Sequence, residues 1–333
     1  MSLRFSEILG QDEIKDYFKN AISKNKLVHA YIINGEEGSG KMMLSETVSC
    51  ALLCENEGEE PCNECTSCHK IINHNHPDVI YVQHEKRDVL SVDEIRTQLV
   101  NTIIEKPYSA KRKVYIVPDA DKMNVQAQNA LLKTIEEPSE YAIIFLLTNN
   151  MNKLLPTILS RCIKITLKPV DDKKIMEYLM RIYQVPDFIA KEAAAFAQGN
   201  VGLAKSLVAS EEFKEERKEF VSLVNSIPRL QTFEIVGKVK EFVKAKKDTT
   251  KLLNMFRVWF RDVLLYKATR DESYLIYVSD LRLIQEMSKT SYRGIEKVFE
   301  ELNDAENKLN SNVSAEQVLS ILLIKVKEYI QNG

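Results

Sequence analysis

Gly35, Gly40 and Lys41 have the spacing of a loop that binds nucleotide phosphates, in the stretch GEEGSGK. In such a loop backbone N–H groups cradle the phosphates and the lysine reaches the outermost ones. Gly38 lies inside the same stretch, which stands between the apolar run AYIIN and a helical pattern that begins at Met42. The sequence therefore predicts a strand–loop–helix unit in which these glycines and Lys41 face phosphate.

The same region lacks two groups that hold magnesium. The position after Lys41 is usually Ser or Thr, whose hydroxyl binds Mg²⁺, and Met42 offers only a thioether. A second ligand is expected in an acidic pair after an apolar strand, but VYIV is followed by Pro118 and Asp119. We therefore expect no ATP hydrolysis by this chain alone, whereas binding of ATP or ADP stays open.

Four cysteines form a second group with chemistry, in the pattern C-x7-C-x2-C-x2-C. They are Cys54, Cys62, Cys65 and Cys68. Two consecutive C-x2-C steps let thiolates converge on one tetrahedral ion, and a closed set of four ligands indicates structural zinc. An iron–sulfur cluster and free thiols are the alternatives, and Cys50 or His69 is near enough to replace a ligand.

The elements that position these groups alternate between strands and helices. Near-continuous apolar runs predict strands at 30–34, 79–83, 114–117, 142–148 and 162–167. SVDE, at 91–94, predicts a capping box that opens a helix reaching Ile104. A second helical pattern runs from about Asn124 to Pro138. Strands separated by helices predict an α/β fold with a parallel sheet.

After residue 168 the pattern becomes helical throughout. We predict an α/β domain at 1–168 with a zinc module at about 54–68. A three-helix lid at 169–210 and an all-α collar domain at 211–333 follow. The apolar stripe Phe256, Trp259, Phe260, Val263 and Leu264, with i, i+3, i+4 spacing, is typical of helix packing.

Composition sets further limits. The chain has 333 residues, 44% of them hydrophobic and 28% charged, with a formal net charge of −2. Such a charge gives no global attraction to nucleic acid or anionic membranes. Because the first residues lack an apolar signal segment and no run is long enough to span a bilayer, we expect a cytoplasmic protein without a membrane partner.

Several motifs together resemble the AAA+ clamp-loader family. They include FSEILGQDEIK (5–15), LVHAYIINGEEGSGK (27–41), the four cysteines, AQNALLKTIEEP (127–138) and LLPTILSRC (154–162). The resemblance spans the chain and is densest over its first 170 residues. It implies an AAA+ domain with a zinc insertion, a lid and a collar that joins a five-membered ring. The implied partners are gamma/tau-type motor subunits, the delta subunit, and, through the ring, the sliding clamp and primed DNA.

The resemblance also assigns roles to single residues. The arginine of SRC, here Arg161, is implied to enter the ATP site of the adjacent subunit, where a fixed guanidinium stabilises charge on the γ-phosphate. Thr148, or Asn149 beside it, matches the polar sensor at a strand end. An arginine of the lid is replaced by Gly202. These departures are typical of a ring member that does not hydrolyse ATP.

Three hypotheses follow from the sequence. The first is a non-hydrolysing clamp-loader subunit that helps to load the clamp during DNA replication and supplies Arg161 in trans. The second is an ATP-hydrolysing motor subunit of the same complex, and the third is a zinc-dependent regulator that binds nucleic acid. No acidic triad suited to nucleotidyl transfer is evident. Any polymerase activity would therefore belong to the polymerase holoenzyme of which the clamp loader is a part.

Overall fold

The computed structural model describes residues 2–56, 58–84, 89–311 and 313–332 of the chain. Five strands within these residues form one sheet: β1 (Ala30–Asn34), β2 (Val79–Tyr81), β3 (Lys113–Val117), β4 (Ala142–Thr148) and β5 (Ile163–Thr166). The strand order is β2-β3-β4-β1-β5, and every paired neighbour is parallel. All five predicted strands are confirmed, with ends that differ by a residue or two.

Both faces of the sheet are buried at β1, β3 and β4, which explains why these strands are almost entirely apolar without alternation. Ile33 and Phe145 point into a cluster on one face, and Ile32 and Ile144 into a cluster on the other. Successive side chains of a strand point to opposite faces, so a strand covered on both sides has few polar positions. The predicted α/β fold with a parallel sheet is thereby confirmed.

Helices cover the two faces. The helices of this half are α1 (Asp12–Ser23), α2 (Lys41–Leu53), α3 (Thr66–Ile72), α4 (Val92–Ile95), α5 (Val125–Glu136) and α6 (Pro156–Leu159). Phe18 of α1, Leu44 of α2 and Ile71 of α3 pack on one face. Leu131 of α5 and Ile158 of α6 pack on the other. Short 3-10 turns lie at Phe5–Glu7, Ala120–Lys122 and Met151–Lys153.

The helix predicted from Ser91 to Ile104 is only partly correct. The capping box is present, since the Ser91 hydroxyl accepts from the Glu94 N–H and the Glu94 side chain accepts from the Ser91 N–H. The α-helix ends at Ile95, however, and a π-helical turn, Arg96–Val100, follows it. The hydroxyls of Thr97 and Thr102 bond to carbonyls four residues earlier. Such bonds compete with the backbone ladder and often bend a helix.

The rest of the described chain is helical, as predicted. It contains α7 (Asp172–Tyr183), α8 (Asp187–Ala197), α9 (Val201–Ala209), α10 (Glu211–Ser226), α11 (Thr232–Lys244), α12 (Thr249–Thr269), α13 (Leu281–Met287), α14 (Tyr292–Asn310) and α15 (Ala315–Asn332), with 3-10 turns at Glu272–Tyr274 and Val278–Asp280. The stripe on α12 is core, because Phe256, Trp259, Phe260 and Val263 are buried. Among the described residues, no helix combines the length and the apolar character needed to cross a membrane.

Contacts divide the chain into two compact units. One comprises Met1–Lys174 and Gly199–Gly202, and the other comprises Ile175–Gln198 and Leu203–Gly333. The first unit contains the sheet, the phosphate loop and the four cysteines. The second contains most of the helical half. The further division into a lid at 169–210 and a collar at 211–333 stays a prediction.

Candidate functional site

The phosphate loop is a tight turn between β1 and α2. Gly38 and Gly40 have φ angles of 81° and 97°, a region in which other residues are strained. Gly40 is the N-cap residue of α2, so the first N–H groups of this helix open onto the loop. A helix N-terminus of this kind attracts anions. Gly35 is buried at the end of β1, where its N–H donates to the Thr148 carbonyl over 3.1 Å.

The Lys41 ammonium is bonded to the protein itself. Its Nζ lies 2.6 Å from the Gly35 carbonyl oxygen, 2.7 Å from that of Glu36 and 2.7 Å from Asn149 Oδ1. An ammonium has three donors, and each has an acceptor here. Burial lowers the pKa of Lys41, although Asp119 and Asp121 act in the opposite direction. A phosphate would therefore have to displace loop carbonyls from this lysine.

The two positions that lack magnesium ligands carry apolar side chains. Met42 is partly buried and packs against the apolar cluster on one face of the sheet. Pro118 follows β3 directly, and its carbonyl oxygen lies 3.2 Å from His84 Nε2. Asp119 has a φ of 48° and pairs with Lys122 at 2.9 Å. Its carboxylate is thus engaged by a neighbour on the same turn.

Asp121 lies at the centre of the site, and sequence reasoning did not identify it. Its Oδ1 accepts the Thr148 hydroxyl at 3.0 Å and the Asn149 N–H at 3.1 Å. The Thr148 hydroxyl also accepts the Asn150 N–H at 3.0 Å, so its bonds tie the ends of β3 and β4 together. Asp121 is the second aspartate of the sequence PDAD. It contacts Thr148 although the two residues are far apart along the chain.

Gly202 packs directly on the phosphate loop. Its N–H donates to the Gly38 carbonyl oxygen at 2.9 Å, and the Asn200 side-chain amide donates to that of Glu37 at 2.7 Å. A Cβ at Gly202 would lie 2.5 Å from the Gly38 oxygen. A side chain would fit between these two backbone segments only if one of them moved. Gly202 occupies the sequence position at which the resemblance implies a nucleotide-sensing arginine. Its backbone contacts the phosphate loop instead.

Arg161 lies on the turn between α6 and β5, with 38% of its side chain exposed. One terminal nitrogen lies 2.8 Å from Glu136 Oε1 at the end of α5. The other donates to the Thr157 carbonyl at 3.0 Å and to the Ser160 hydroxyl at 3.2 Å. Glu136 belongs to the motif AQNALLKTIEEP and Arg161 to LLPTILSRC. Two motifs that carry the resemblance thus meet in one ion pair. Such an exposed pair contributes about 0–1 kcal/mol and is easily exchanged for another anion.

The four cysteines converge as their spacing predicts. Cys54 directly follows α2, Cys62 and Cys65 lie in the following loop, and Cys68 is in the first turn of α3. Their sulfur atoms all lie within 4.8 Å of one another, and Cys62 and Cys68 are 3.8 Å apart. Four sulfurs at about 2.3 Å from one tetrahedral ion would be about 3.8 Å apart. The four thiols can therefore hold one metal ion.

Backbone amides prepare part of this cluster for a cation. Cys62 Sγ accepts the N–H groups of Glu64 and Cys65 at 3.4 and 3.3 Å. These bonds lower the pKa of Cys62 to about 6. Burial raises the pKa of Cys54 and of Cys68. A dication would deprotonate such thiols on binding.

Fold and site together define a protein of the AAA+ type. A phosphate loop follows β1, polar residues gather at the ends of β3 and β4, and an all-helical region follows the sheet. Residues 10–171 match the model of a family described as "DNA polymerase III, delta subunit". Residues 211–327 match that of "DNA polymerase III, delta subunit, C terminal". Together the two matches span most of the chain. The chain therefore belongs to the family of DNA polymerase III delta-type subunits.

Two relatives and one solved structure are similar to this chain. DNA polymerase III subunit delta' of Bacillus subtilis is 28% identical over 323 residues, which cover 96% of each chain. Subunit tau of the same organism is 30% identical over 286 residues, 79% of this chain and 50% of that one. A gamma subunit-related protein of Thermotoga maritima is 21% identical, with a TM-score of 0.42 over 95% of this chain and 99% of that one.

Proposed function

We propose that this chain is a delta prime subunit of a bacterial clamp loader. It would take its place in a ring with gamma/tau motor subunits and a delta subunit, and the ring would load a sliding clamp onto primed DNA. A relative named delta' that matches over nearly the full length of both chains supports this proposal. The shorter coverage of the tau relative is consistent with it.

Within that ring the chain contributes an arginine and hydrolyses no ATP. The observation that carries this proposal is the contrast between two places on one domain. At the phosphate loop, Lys41 is bonded to loop oxygens while Met42 and Pro118 offer no metal ligand. Arg161 is instead exposed and held by weak, exchangeable contacts. A guanidinium in that position can pair with a phosphate of an adjoining subunit.

Reconstitution of the ring with Arg161→Ala tests this role. A missing arginine finger typically lowers the rate of phosphoryl transfer by about 10³–10⁵ at the site it serves. Because the ring has several sites, we expect a partial but clear loss of DNA-stimulated ATP turnover and of clamp loading, with assembly intact. Arg181→Ala, at another exposed arginine, is the matched control. Equal rates for the Arg161 variant and the wild type would contradict the trans role.

Lys41→Ala separates this proposal from the motor alternative. If this chain were a motor subunit, the purified chain would turn over ATP alone and Lys41→Ala would abolish that activity. Under our proposal the isolated chain shows no turnover. A measured turnover that depends on Lys41 would therefore replace the delta prime assignment.

We also infer that the ion held by Cys54, Cys62, Cys65 and Cys68 is zinc. Four thiolates in a closed tetrahedron suit zinc and leave no position for substrate, so the role is structural. Metal analysis of the purified chain is expected to give one zinc ion per molecule, lost in Cys65→Ser. Iron in place of zinc would contradict this assignment. DNA binding by the isolated chain that is lost in Cys65→Ser would instead favour the third hypothesis, a zinc-dependent regulator that binds nucleic acid.

A further inference from the structure

The loop that carries the cysteines also binds the segment that precedes α1. Asn63 lies between Cys62 and Cys65, and its side chain faces Leu3. The Leu3 N–H donates to Asn63 Oδ1 at 2.9 Å, and Asn63 Nδ2 donates to the Leu3 carbonyl at 3.2 Å. One carboxamide thus pairs both polar backbone groups of a buried residue, as a neighbouring strand would do.

Glu60 makes a second set of contacts to the same segment. Its Oε2 accepts the Phe5 N–H at 2.7 Å, and its Oε1 pairs with Lys19 Nζ at 2.8 Å. The Lys19 ammonium lies 5.6 Å from the centre of the Phe5 ring. The carboxylate therefore joins the segment, α1 and the cysteine loop.

Apolar burial completes the contact. Leu3, Phe5 and Ile8 are 3%, 0% and 8% exposed. They belong to the same apolar cluster as Cys68 and Ile71 of α3, and Cys54, Cys62 and Cys65 pack against that cluster. The segment and the cysteines are thus parts of one packed region.

The backbone of this loop is irregular. Between α2 and α3 the described residues form neither a helix nor a strand. Asn63 has a φ of 61°, a left-handed conformation that costs energy in a non-glycine residue. An ion bound to Cys62 and Cys65 on either side would fix the backbone of Asn63 in that conformation.

We propose that the loop that carries the cysteines is the docking site for the segment Leu3–Ile8. The ion held by the cysteines keeps Asn63 and Glu60 where they bind Leu3 and Phe5, so metal occupancy determines whether the segment that leads into α1 is ordered. This proposal rests on the inference that the cluster binds zinc. It does not depend on the role of Arg161.

Hydrogen–deuterium exchange of the full chain, before and after removal of zinc by a chelator, tests this proposal. With zinc bound, we expect the amides of Leu3 and Phe5 to be protected. After chelation their exchange should quicken by about tenfold or more, as expected for the loss of one or two hydrogen bonds, while amides of β4 stay protected. Absence of zinc from the purified chain would overturn both the zinc assignment and this proposal. Zinc bound but without effect on these amides would overturn the docking proposal alone.

Two variants address the case in which chelation unfolds the whole unit. Asn63→Gly keeps the left-handed backbone, which glycine adopts freely, and removes the carboxamide. With zinc content unchanged, it should speed exchange at Leu3 by about tenfold. Glu60→Ala should do the same at Phe5. Asn25→Gly replaces another left-handed asparagine of this unit and serves as the control. Unchanged exchange in both test variants would show that apolar packing alone holds the segment.

Discussion

Asp78 illustrates how one buried carboxylate can organise a loop. It lies before β2 with 1% of its surface exposed. Its two oxygens accept the N–H groups of Tyr108, Ser109 and Ala110 at 2.5, 2.8 and 2.9 Å. The segment that leads into β3 is thereby held against the start of β2, its neighbour in the sheet.

We predict that Asp78→Asn lowers stability in a pH-dependent way. Burial raises the pKa of Asp78, but the N–H donors of Ser109, Tyr108 and Ala110 outweigh it, and the pKa lies below its ordinary value of 3.8. A pKa lower in the folded chain than in the unfolded one means that the ionised group stabilises the fold at neutral pH. This contribution disappears as the pH falls through the folded pKa.

The measurement is urea unfolding of the Asn variant and the wild type. At pH 7 we expect the variant to lose about 2 kcal/mol of unfolding free energy, because charged acceptors form the stronger hydrogen bonds. Below a pH of about 4 the difference should shrink. Asp16→Asn, at an exposed position of α1, is the control. A difference that stays constant with pH would show that shape, not charge, matters at Asp78.

The expectation that two magnesium ligands are absent came from residue types alone. The side chains of Met42 and Pro118 offer magnesium no oxygen in any fold, so their identity was sufficient for that prediction. The contact of Lys41 with Asn149 could not be predicted in this way, because Asn149 lies 108 residues away along the chain and meets Lys41 only where β1 and β4 pair. Asp121 was missed for the same reason.

At the scale of elements, α5 supports the segment that leads to Arg161. Gln128 of α5 is 2% exposed. Its amide nitrogen donates to the carbonyls of Met123 and Lys153, each at 3.1 Å, and its oxygen accepts the Leu155 N–H at 2.7 Å. One side chain therefore joins the turn after β3 to the segment before α6.

We predict that Gln128→Ala weakens this support. Two carbonyls and one N–H would lose their partner in a buried place, at a cost of about 1–3 kcal/mol for such groups. Thermal unfolding should show the loss, and ATP turnover by the reconstituted ring should fall because α6 leads into the turn that carries Arg161. Gln126→Ala, on the exposed side of the same helix, is the control. Equal stability of the two variants would contradict this interpretation.

At the scale of the whole molecule, the helical unit has an ionic centre of its own. Arg217 of α10 pairs with both oxygens of Glu192 on α8, at 2.7 and 2.8 Å, and with Asp280 at 2.7 Å. Glu192 is 4% exposed. Burial raises the pKa of Glu192, which the Arg217 guanidinium opposes. A single arginine thus connects helices that lie before and after the predicted lid boundary at 210.

We predict that Arg217→Met destabilises the helical unit selectively. Removal of one partner leaves a buried carboxylate unpaired, which typically costs about 3–5 kcal/mol. Hydrogen–deuterium exchange should quicken in α8, α10 and α12, while the amides of β4 keep their protection. Arg293→Met, at an exposed position of α14, is the control. Equal loss of protection in both units would show that they unfold as one.

Sequence by itself determined the alternation of strands and helices, the helical second half, the spacing of the four cysteines and the apolar side chains of Met42 and Pro118. Each of these depends on local periodicity, on spacing within about fifteen residues or on side-chain chemistry, which the order of residues fixes directly. Tertiary structure decided the rest: the contact of Lys41 with Asn149, the contact of Gly202 with Gly38, the pairing of Arg161 with Glu136, and the docking of Leu3 on Asn63. These contacts join residues far apart along the chain, and only the pairing of the strands and the packing of the sheet against helices and loops bring them within reach.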